Sequence, residues 1–353
     1  MILLLGASGY IGQAFVTELR RRRRSFIKLS RESLDYTRFD VLFDYVRKTK
    51  PEFLINAAGY TGRPNVDACE STRMEAVQGN VIFPQNLARV CFLTNTPWGH
   101  VSSGCIYSGA KVCEDQTLRV ERDLTQLSLT NLFASHPERF HGFNESDEPN
   151  FSFRTPPCSF YCGTKALAEE ALRNFSNCYL WRLRIPFDEF DHPRNFLSKI
   201  QHYPKVYNDI NSISHRGDFV RACLDLWERH APFGAYNVTN PGSITTRQVV
   251  QAIQHVLKPN RRFEFWKDDV EFYGHAAKTP RSNCILDVSK LLATGVKIRP
   301  VQQALEESLE HWQPTVNTLR MLAGMDERIS EFSPMPSANT SRATAPQICA
   351  ALG

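Results

Sequence analysis

The feature that most constrains this chain stands near its first residue. Ile2–Leu5 is an apolar run closed by Gly6-Ala-Ser-Gly9-Tyr-Ile-Gly12, and apolar residues then recur at helical spacing through Gln13–Arg24. Strand, glycine-rich turn and helix, in that order, form the context a dinucleotide fingerprint needs. Glycines let the backbone approach a pyrophosphate, and the helix N-terminus offers free N–H groups and a positive dipole. The spacing is G-x-x-G-x-x-G rather than G-x-G-x-x-G. A tight turn with no ligand is the competing reading, but the flanking strand and helix favour a cofactor. Gly6, Ser8, Gly9, Tyr10, Ile11 and Gly12 are therefore the first candidate cofactor-binding residues.

The next residues extend the pattern. Ser25–Leu29 predicts a second strand ending at Ser30-Arg31, where an NAD site carries an acidic residue for the ribose 2′-hydroxyl. Arg31 suits a 2′-phosphate instead, so NADP(H) is expected in preference to NAD, although Glu32 stands next to it. Asp40–Lys50 reads as a helix and Phe53–Asn56 as a strand, running into Ala57-Ala58-Gly59, small enough to pass beneath a cofactor. Asn80 is a polar residue among apolar ones, and it reads equally as a satisfied helix asparagine or a cofactor contact. Further helix and strand patterns alternate: Phe83–Phe92, Trp98–Ile106, Cys178–Arg184, Asp218–Arg229, Ala235–Thr239. The fold class that follows is α/β, a Rossmann doubly wound parallel sheet with a smaller C-terminal substrate-binding lobe. Residues 1–185 are expected to form mainly the NADP-binding domain, with an insertion at about 108–141. Residues 186–315 form mainly the substrate lobe, partly interleaved with it, and the Ser-, Pro-, Ala- and Thr-rich tail 330–353 is expected to be disordered.

Composition narrows the function classes. A net charge of +5 on 353 residues is mild, so no nucleic-acid partner is expected, and Arg20–Arg24 reads by default as a solvated helix end. No apolar run is long enough to span a membrane. No signal-peptide pattern precedes the first strand, so a cytoplasmic location with reduced thiols is expected. The ten cysteines contain no C-x-x-C pair and match no zinc spacing, so no metal is expected.

The chemistry-bearing stretches come next. In Val101–Tyr107, VSSGCIY, a strand running through Ile106 would put the Ser103 hydroxyl and the Cys105 thiol on one face at its carboxyl end. Ser108–Arg139 is polar, without clear period and longer than an ordinary connection, hence a lid or an insertion. In CSFYCGTKALAEE, Tyr161 and Lys165 are four residues apart and share a helix face. An ammonium beside a phenol would lower the phenol's pKa and aid proton donation to a forming alkoxide. With Ser103 upstream and a dinucleotide turn at the start, Ser103, Tyr161 and Lys165 form a catalytic triad for ketone reduction. Tyr161 and Lys165 also count as cofactor contacts, alongside Ser30, Arg31, Ala57, Ala58, Gly59 and Asn80. Arg281 would suit bidentate binding of a diphosphate.

Taken together, GASGYIG, INAAG, SSGCIY and YCGTK resemble the extended short-chain dehydrogenase/reductases. More narrowly, TGRPNVDACE, SSGCIY, CSFYCGTK, RLRIPF…HPRNFLSKI, YNVTNPG and RSNCILD resemble the nucleotide-rhamnose synthase/epimerase-reductase family. That family comprises the reductase half of plant rhamnose synthase and relatives similar to bacterial dTDP-4-dehydrorhamnose reductase. The resemblance covers roughly residues 1–315 outside the insertion. It implies a bifunctional enzyme that epimerises C3 and C5 of a UDP- or dTDP-4-keto-6-deoxyglucose and reduces C4 with NADPH, giving nucleotide-L-rhamnose. It further implies that Cys105 and Lys199 are the acid/base pair of the epimerisation. Arg63, Asn65, Ser103, Gly104, Cys105, Asn195 and Arg281 would contact substrate. A homodimer is expected, with a nucleotide-glucose 4,6-dehydratase as pathway partner. Gly104 and Cys105 replace the acidic pair of the dehydratases themselves. Three rival readings stay open. One is a reductase without epimerase activity. Another is a GDP-fucose-synthase-like enzyme with His192 as the partner of the cysteine. The third is a non-catalytic NADP-binding regulatory subunit, against which the intact triad weighs.

Overall fold

The computed structural model describes residues 1–259 and 261–315. The tail at 330–353, expected to be disordered, lies outside the described residues. Six strands build the central sheet: β1 (Ile2–Leu5), β2 (Phe26–Leu29), β3 (Phe53–Asn56), β4 (Trp98–Ser103), β5 (Cys178–Leu183) and β6 (Gly234–Asn237). Their order is β6-β5-β4-β3-β1-β2, and every neighbouring pair is parallel. The chain starts at β1, steps outward to β2, then returns to the other side of β1 as β3. The order therefore reverses between β1 and β3, and a ligand crevice opens at the strand carboxyl ends at such a point.

β1 and β3 are buried at every position, as strands covered on both faces require. One face packs the helices Tyr10–Arg21 and Arg216–Glu228 around Phe15, Leu19, Trp181, Phe219 and Leu224. The other packs Phe39–Thr49 and Phe83–Leu93 around Leu3, Leu42, Leu54 and Leu87. A separate core gathers Phe187, Leu197, Ile213, Val249, Ile253 and Leu305. Strand β6 comes from sequence beyond residue 186 yet joins the central sheet.

Two local expectations are corrected, and a third segment is given its form. β4 stops at Ser103, and Gly104–Ile106 coils into a 3₁₀ turn instead of continuing the strand. The 108–139 segment is folded: Ala110–Glu114 pairs with Thr117–Glu121 and Phe140–His141, and Leu127–Ser135 is a helix. Its own small core of Ala110, Val112, Leu129, Phe133 and Phe140 closes on Ile210 and Ile285. Lastly, the arginine run is not simply a solvated end. Arg22 pairs with Glu18, Asp225 and Glu228, and Arg24 with Glu228, tying the first helix to Arg216–Glu228.

Candidate active site

The glycine turn is shaped by close approach. Gly6 has φ +75°, and a Cβ there would lie 2.4 Å from the Ala58 nitrogen. A Cβ on Gly12 would lie 2.0 Å from the Gly6 carbonyl oxygen. Only glycine fits either place. The Ala58 N–H donates to Asn56 Oδ1 at 3.0 Å, fixing the Ala57–Gly59 bend beside the turn. No side chain caps the helix that begins at Tyr10, so its first N–H groups suit an anion. Ser8 and Gly9 are exposed there, and Ile11 packs inward. Ser30 turns back onto Ser33 beyond β2, and Arg31 is exposed beside it. Tyr10 has a different task. Its hydroxyl donates to Asp188 at 2.9 Å, and its ring lies between His192 (4.6 Å, stacked) and Arg216 (4.3 Å). Tyr10 thus joins the turn to the segment after β5. His192 is committed to the same stack, and its Nδ1 accepts the Arg194 backbone N–H.

At the end of β4 the strand alternation divides two serines. Ser102 donates to Glu169 at 2.6 Å, and Glu169 also holds Arg182 in a buried pair at 2.8 Å. This fixes the Phe160–Leu172 helix against the sheet. Ser103 points the other way and caps the 3₁₀ turn, its Oγ accepting the Cys105 N–H at 3.2 Å. Ser103 and Cys105 do meet, through a turn rather than along a strand face. Gly104 leaves no room for a side chain: a Cβ there would be 2.5 Å from Leu286. The Ser103 hydroxyl acts on both the Cys105 thiol and the Tyr161 phenol, favouring their ionised forms, and Cys105 shares a cluster with Phe151, Tyr161 and Cys162. Lys165 is buried with its Nζ 5.9 Å from the Tyr161 ring. Asn80 is fully buried and clamps this arrangement. It accepts the Tyr60 N–H at 2.8 Å, and donates to the Tyr60 carbonyl and to Thr164.

Burial governs the protonation states. It pushes Tyr161 well above the ordinary phenol value, assisted by the neighbouring thiols Cys105 and Cys162. The expected lowering by Lys165 does not prevail, and the phenol stays neutral. Burial lowers Lys165. For Cys105, burial pushes upward and is outweighed by the Cys162 thiol donating to it, by Ser103, and by the charges of Arg184 and Lys165. Its thiol lies below the ordinary value. Cys162 is raised in turn by burial and by its bond to Cys105.

The remaining site residues divide. Lys199 lies on the Phe196–His202 helix, and burial together with Arg194 and Arg281 lowers its pKa. Asn195 caps that helix and donates to the Asp188 and Phe190 carbonyls at 2.8 and 2.7 Å. It is fully buried, and its amide is spent on the fold. Asn65 caps Val66–Glu70, and Arg63 is exposed before it. Arg281 makes a bidentate pair, but with Asp67 at 2.6 and 2.7 Å. Sequence reasoning missed Arg184, which is 5% exposed and donates to Asn211 at 2.6 Å and to the Ser282 carbonyl. It missed Glu169 too, although the spacing 161, 165, 169 marks one helix face. Among the described residues no cluster of His, Cys, Asp or Glu could hold a metal, and no helix is long and apolar enough to cross a membrane.

Sheet order, glycine turn and crevice define a Rossmann-type α/β protein. The RmlD substrate-binding domain model matches residues 1–313, and the chain belongs to that family. It is 31% identical over 263 residues to the bifunctional dTDP-4-dehydrorhamnose 3,5-epimerase/dTDP-4-dehydrorhamnose reductase of Arabidopsis thaliana, covering 74% of this chain and 77% of that protein. It is 34% identical over 248 residues, 70% of this chain, to the Arabidopsis trifunctional UDP-glucose 4,6-dehydratase/UDP-4-keto-6-deoxy-D-glucose 3,5-epimerase/UDP-4-keto-L-rhamnose-reductase RHM3, but spans only 33% of its length. The fold matches the L780 UDP-rhamnose synthase of Acanthamoeba polyphaga mimivirus with a TM-score of 0.73, at 22% identity over 88% of this chain and 98% of that one. It matches the Bacillus anthracis dTDP-4-dehydrorhamnose reductase in complex with NADP with a TM-score of 0.67, at 19% identity over 88% and 97%.

Proposed function

We propose that this chain is a bifunctional 3,5-epimerase/4-reductase. It converts a UDP- or dTDP-linked 4-keto-6-deoxyglucose to the nucleotide-L-rhamnose with NADPH. The observation that carries the reading is the Gly104–Ile106 turn, which sets the Cys105 thiol beside Ser103 and Tyr161. Hydroxyl, phenol and amine suffice for ketone reduction, and the thiol adds a base for the neighbouring carbons. The C4 ketone acidifies the protons on C3 and C5. Cys105, as thiolate, removes such a proton, and Lys199 returns one to the opposite face. The lowered Lys199 pKa eases that transfer, and exchange with solvent resets the pair. NADPH, when bound, supplies the hydride for C4. Tyr161 gives its proton to the C4 oxygen, which the Ser103 hydroxyl holds by a hydrogen bond. Gly6, Ser8, Gly9, Ile11 and Gly12 would hold the cofactor's pyrophosphate, Ser30 and Arg31 its 2′-phosphate, and Lys165 its ribose.

The relatives named as epimerase-reductases support both activities, and the NADP complex of a protein of the same fold supports the cofactor. The trifunctional relatives are named for a dehydratase as well, which supports a nucleotide-glucose 4,6-dehydratase as the source of substrate. The test is incubation with each nucleotide-linked 4-keto sugar and NADPH in D₂O. NADPH oxidation, a rhamnosyl product and deuterium at C3 and C5 are expected. No turnover on either nucleotide overturns the proposal, and reduction without deuterium removes its epimerase half.

A further inference from the structure

The insertion carries a strand that is bonded on one side only. Thr117–Glu121 pairs with Ala110–Glu114, which pairs in turn with Phe140–His141, so Thr117–Glu121 is the edge of this small sheet. Among the described residues nothing pairs with its outer side. We propose that this edge joins the same edge of a second copy of the chain, antiparallel and centred on Val120. The inference concerns assembly and does not depend on the reaction proposed above.

The hairpin decides which backbone groups face outward. Glu114 and Thr117 flank the two-residue turn Asp115-Gln116, whose φ values of +47° and +65° are both positive, as a type I′ turn requires. Such a turn is closed by a pair that exchanges both of its backbone bonds, and bonded pairs then alternate with unbonded ones. Thr117, Arg119 and Glu121 therefore spend their N–H and C=O groups on Glu114, Val112 and Ala110. Leu118 and Val120 direct theirs to the free side. Side chains alternate as well. Arg119 and Glu121 stand opposite Val112 and Ala110, on the face that carries the insertion's core, so Leu118 and Val120 stand on the other face. They are 57% and 52% exposed. Sheet edges are commonly blunted by proline, by charge or by a covering element, and the two outward-bonding positions here hold leucine and valine instead.

Charge selects the partner and the register. Backbone bonds form only in registers that oppose outward-bonding residues to one another. Centring the pair on Arg119 sets that guanidinium against itself, and like charges directly opposite are destabilising. Centring it on Leu118 opposes Arg119 to Thr117 and makes no charge pair. Centring it on Val120 opposes Arg119 to the partner's Glu121, and the two-fold symmetry of self-pairing makes that contact twice. Both residues occupy unbonded positions in this register, where side chains approach most closely. Among the described residues neither Arg119 nor Glu121 has an ion-pair partner of its own. The same operation packs Val120 on the partner's Val120. A second copy therefore complements this edge in backbone, in charge and in apolar surface.

Sedimentation velocity of the full chain over roughly 1–100 μM, the span in which a small interface associates, tests this. The wild type is expected to associate as concentration rises. Val120→Pro removes an outward N–H and leaves the hairpin's own bonds, at an edge position where proline is tolerated. It should move association to about tenfold higher concentration or more. Arg119→Glu opposes like charges twice and should do the same. Arg119→Glu combined with Glu121→Arg in one chain restores both pairs and should restore association. If copies also join through another face, each loss reads as one step down in assembly size. Circular dichroism should match the wild type throughout, and the charge series alone decides the matter if Val120→Pro fails to fold. A wild type whose mass does not change over this range overturns the proposal. So does Arg119→Glu associating as the wild type does, or a double variant that does not recover.

Discussion

Two turns close parallel strands of the same sheet and work by opposite means. After β1, the Gly6–Gly12 turn offers backbone: what matters is the absence of side chains, since a Cβ at Gly12 would sit 2.0 Å from the Gly6 oxygen. After β4, the Gly104–Ile106 turn offers side chains: a hydroxyl, a thiol and, across from them, a half-buried phenol. The first turn therefore has no tolerance for volume and carries no titratable group of its own in the glycine positions. The second keeps its shape through Ser103 and Gly104, but its chemistry depends on which groups carry protons. Substitutions in the first turn should remove everything at once, and those in the second should separate one activity from another.

The largest expected effect, because it removes cofactor binding and with it the whole reductive half, follows from Gly12→Ala. The methyl group must displace the Gly6 carbonyl, a strain on the order of 3 kcal/mol. NADPH affinity should fall by about a hundredfold or more and take reduction with it, as read by calorimetry and turnover. An unchanged NADPH affinity would mean that this turn does not hold the cofactor. Next comes Tyr161→Phe. Removing a general acid costs about 10²–10⁴ in rate, so reduction should drop by that amount. Deuterium exchange at C3 and C5 should persist, since the phenol is not asked to do it. Equal loss of both activities would erase the contrast between the two turns.

This difference in means also decides what could be read from the sequence. The backbone turn was legible because glycine spacing encodes it directly, and the apolar runs Ile2–Leu5 and Phe53–Asn56 coincide with β1 and β3. Tyr161 and Lys165 were legible because helical spacing puts them on one face. The Gly104–Ile106 turn was hidden, because strand periodicity and a short 3₁₀ turn both bring Ser103 and Cys105 near each other. The insertion's hairpin was hidden for another reason. Thr117–Glu121 buries none of its residues, and the hairpin turns at Asp115-Gln116, both with positive φ and neither a glycine. Neither alternation nor turn chemistry marked it. Arg22 looked solvated because its partner Glu228 is 206 residues away.

Cys105→Ser tests the second turn alone. Serine keeps the size but is far too weak an acid to ionise there, so exchange at C3 and C5 should fall about a hundredfold or more. Reduction of the ketone should be retained in part. In the wild type, exchange requires the thiolate, so its rate should climb with pH and level off below about 8.5, the ordinary thiol value. A plateau above that value would contradict the lowered pKa of Cys105.

The smallest effect, and the sharpest, concerns Arg184. Its side chain is buried, packs 3.5 Å from where a Gly104 Cβ would stand, and is bonded to Asn211 and Ser282 rather than to a carboxylate. A buried cation without an anion is costly, and Arg184 favours the ionised forms of the acids around it, the Asp209 carboxyl and the Cys105, Cys162 and Cys284 thiols; of these, only Cys105 ends below its ordinary value. Arg184→Met removes the charge, so the thiol pKa should rise on the order of one unit, read as the pH dependence of Cys105 alkylation. At neutral pH this leaves roughly a tenth of the thiolate and slows exchange to match. Arg184→Met also breaks the bonds to Asn211 and Ser282, so a loss of stability alone would not discriminate. Arg184→Lys does. It keeps the charge and gives up the guanidinium fork, so the melting temperature should fall while the alkylation profile stays near that of the wild type. If Lys and Met shift the profile equally, Arg184 acts by holding the Ser282 loop and not by its charge, and the protonation of the second turn must then come from Cys162, Ser103 and Lys165.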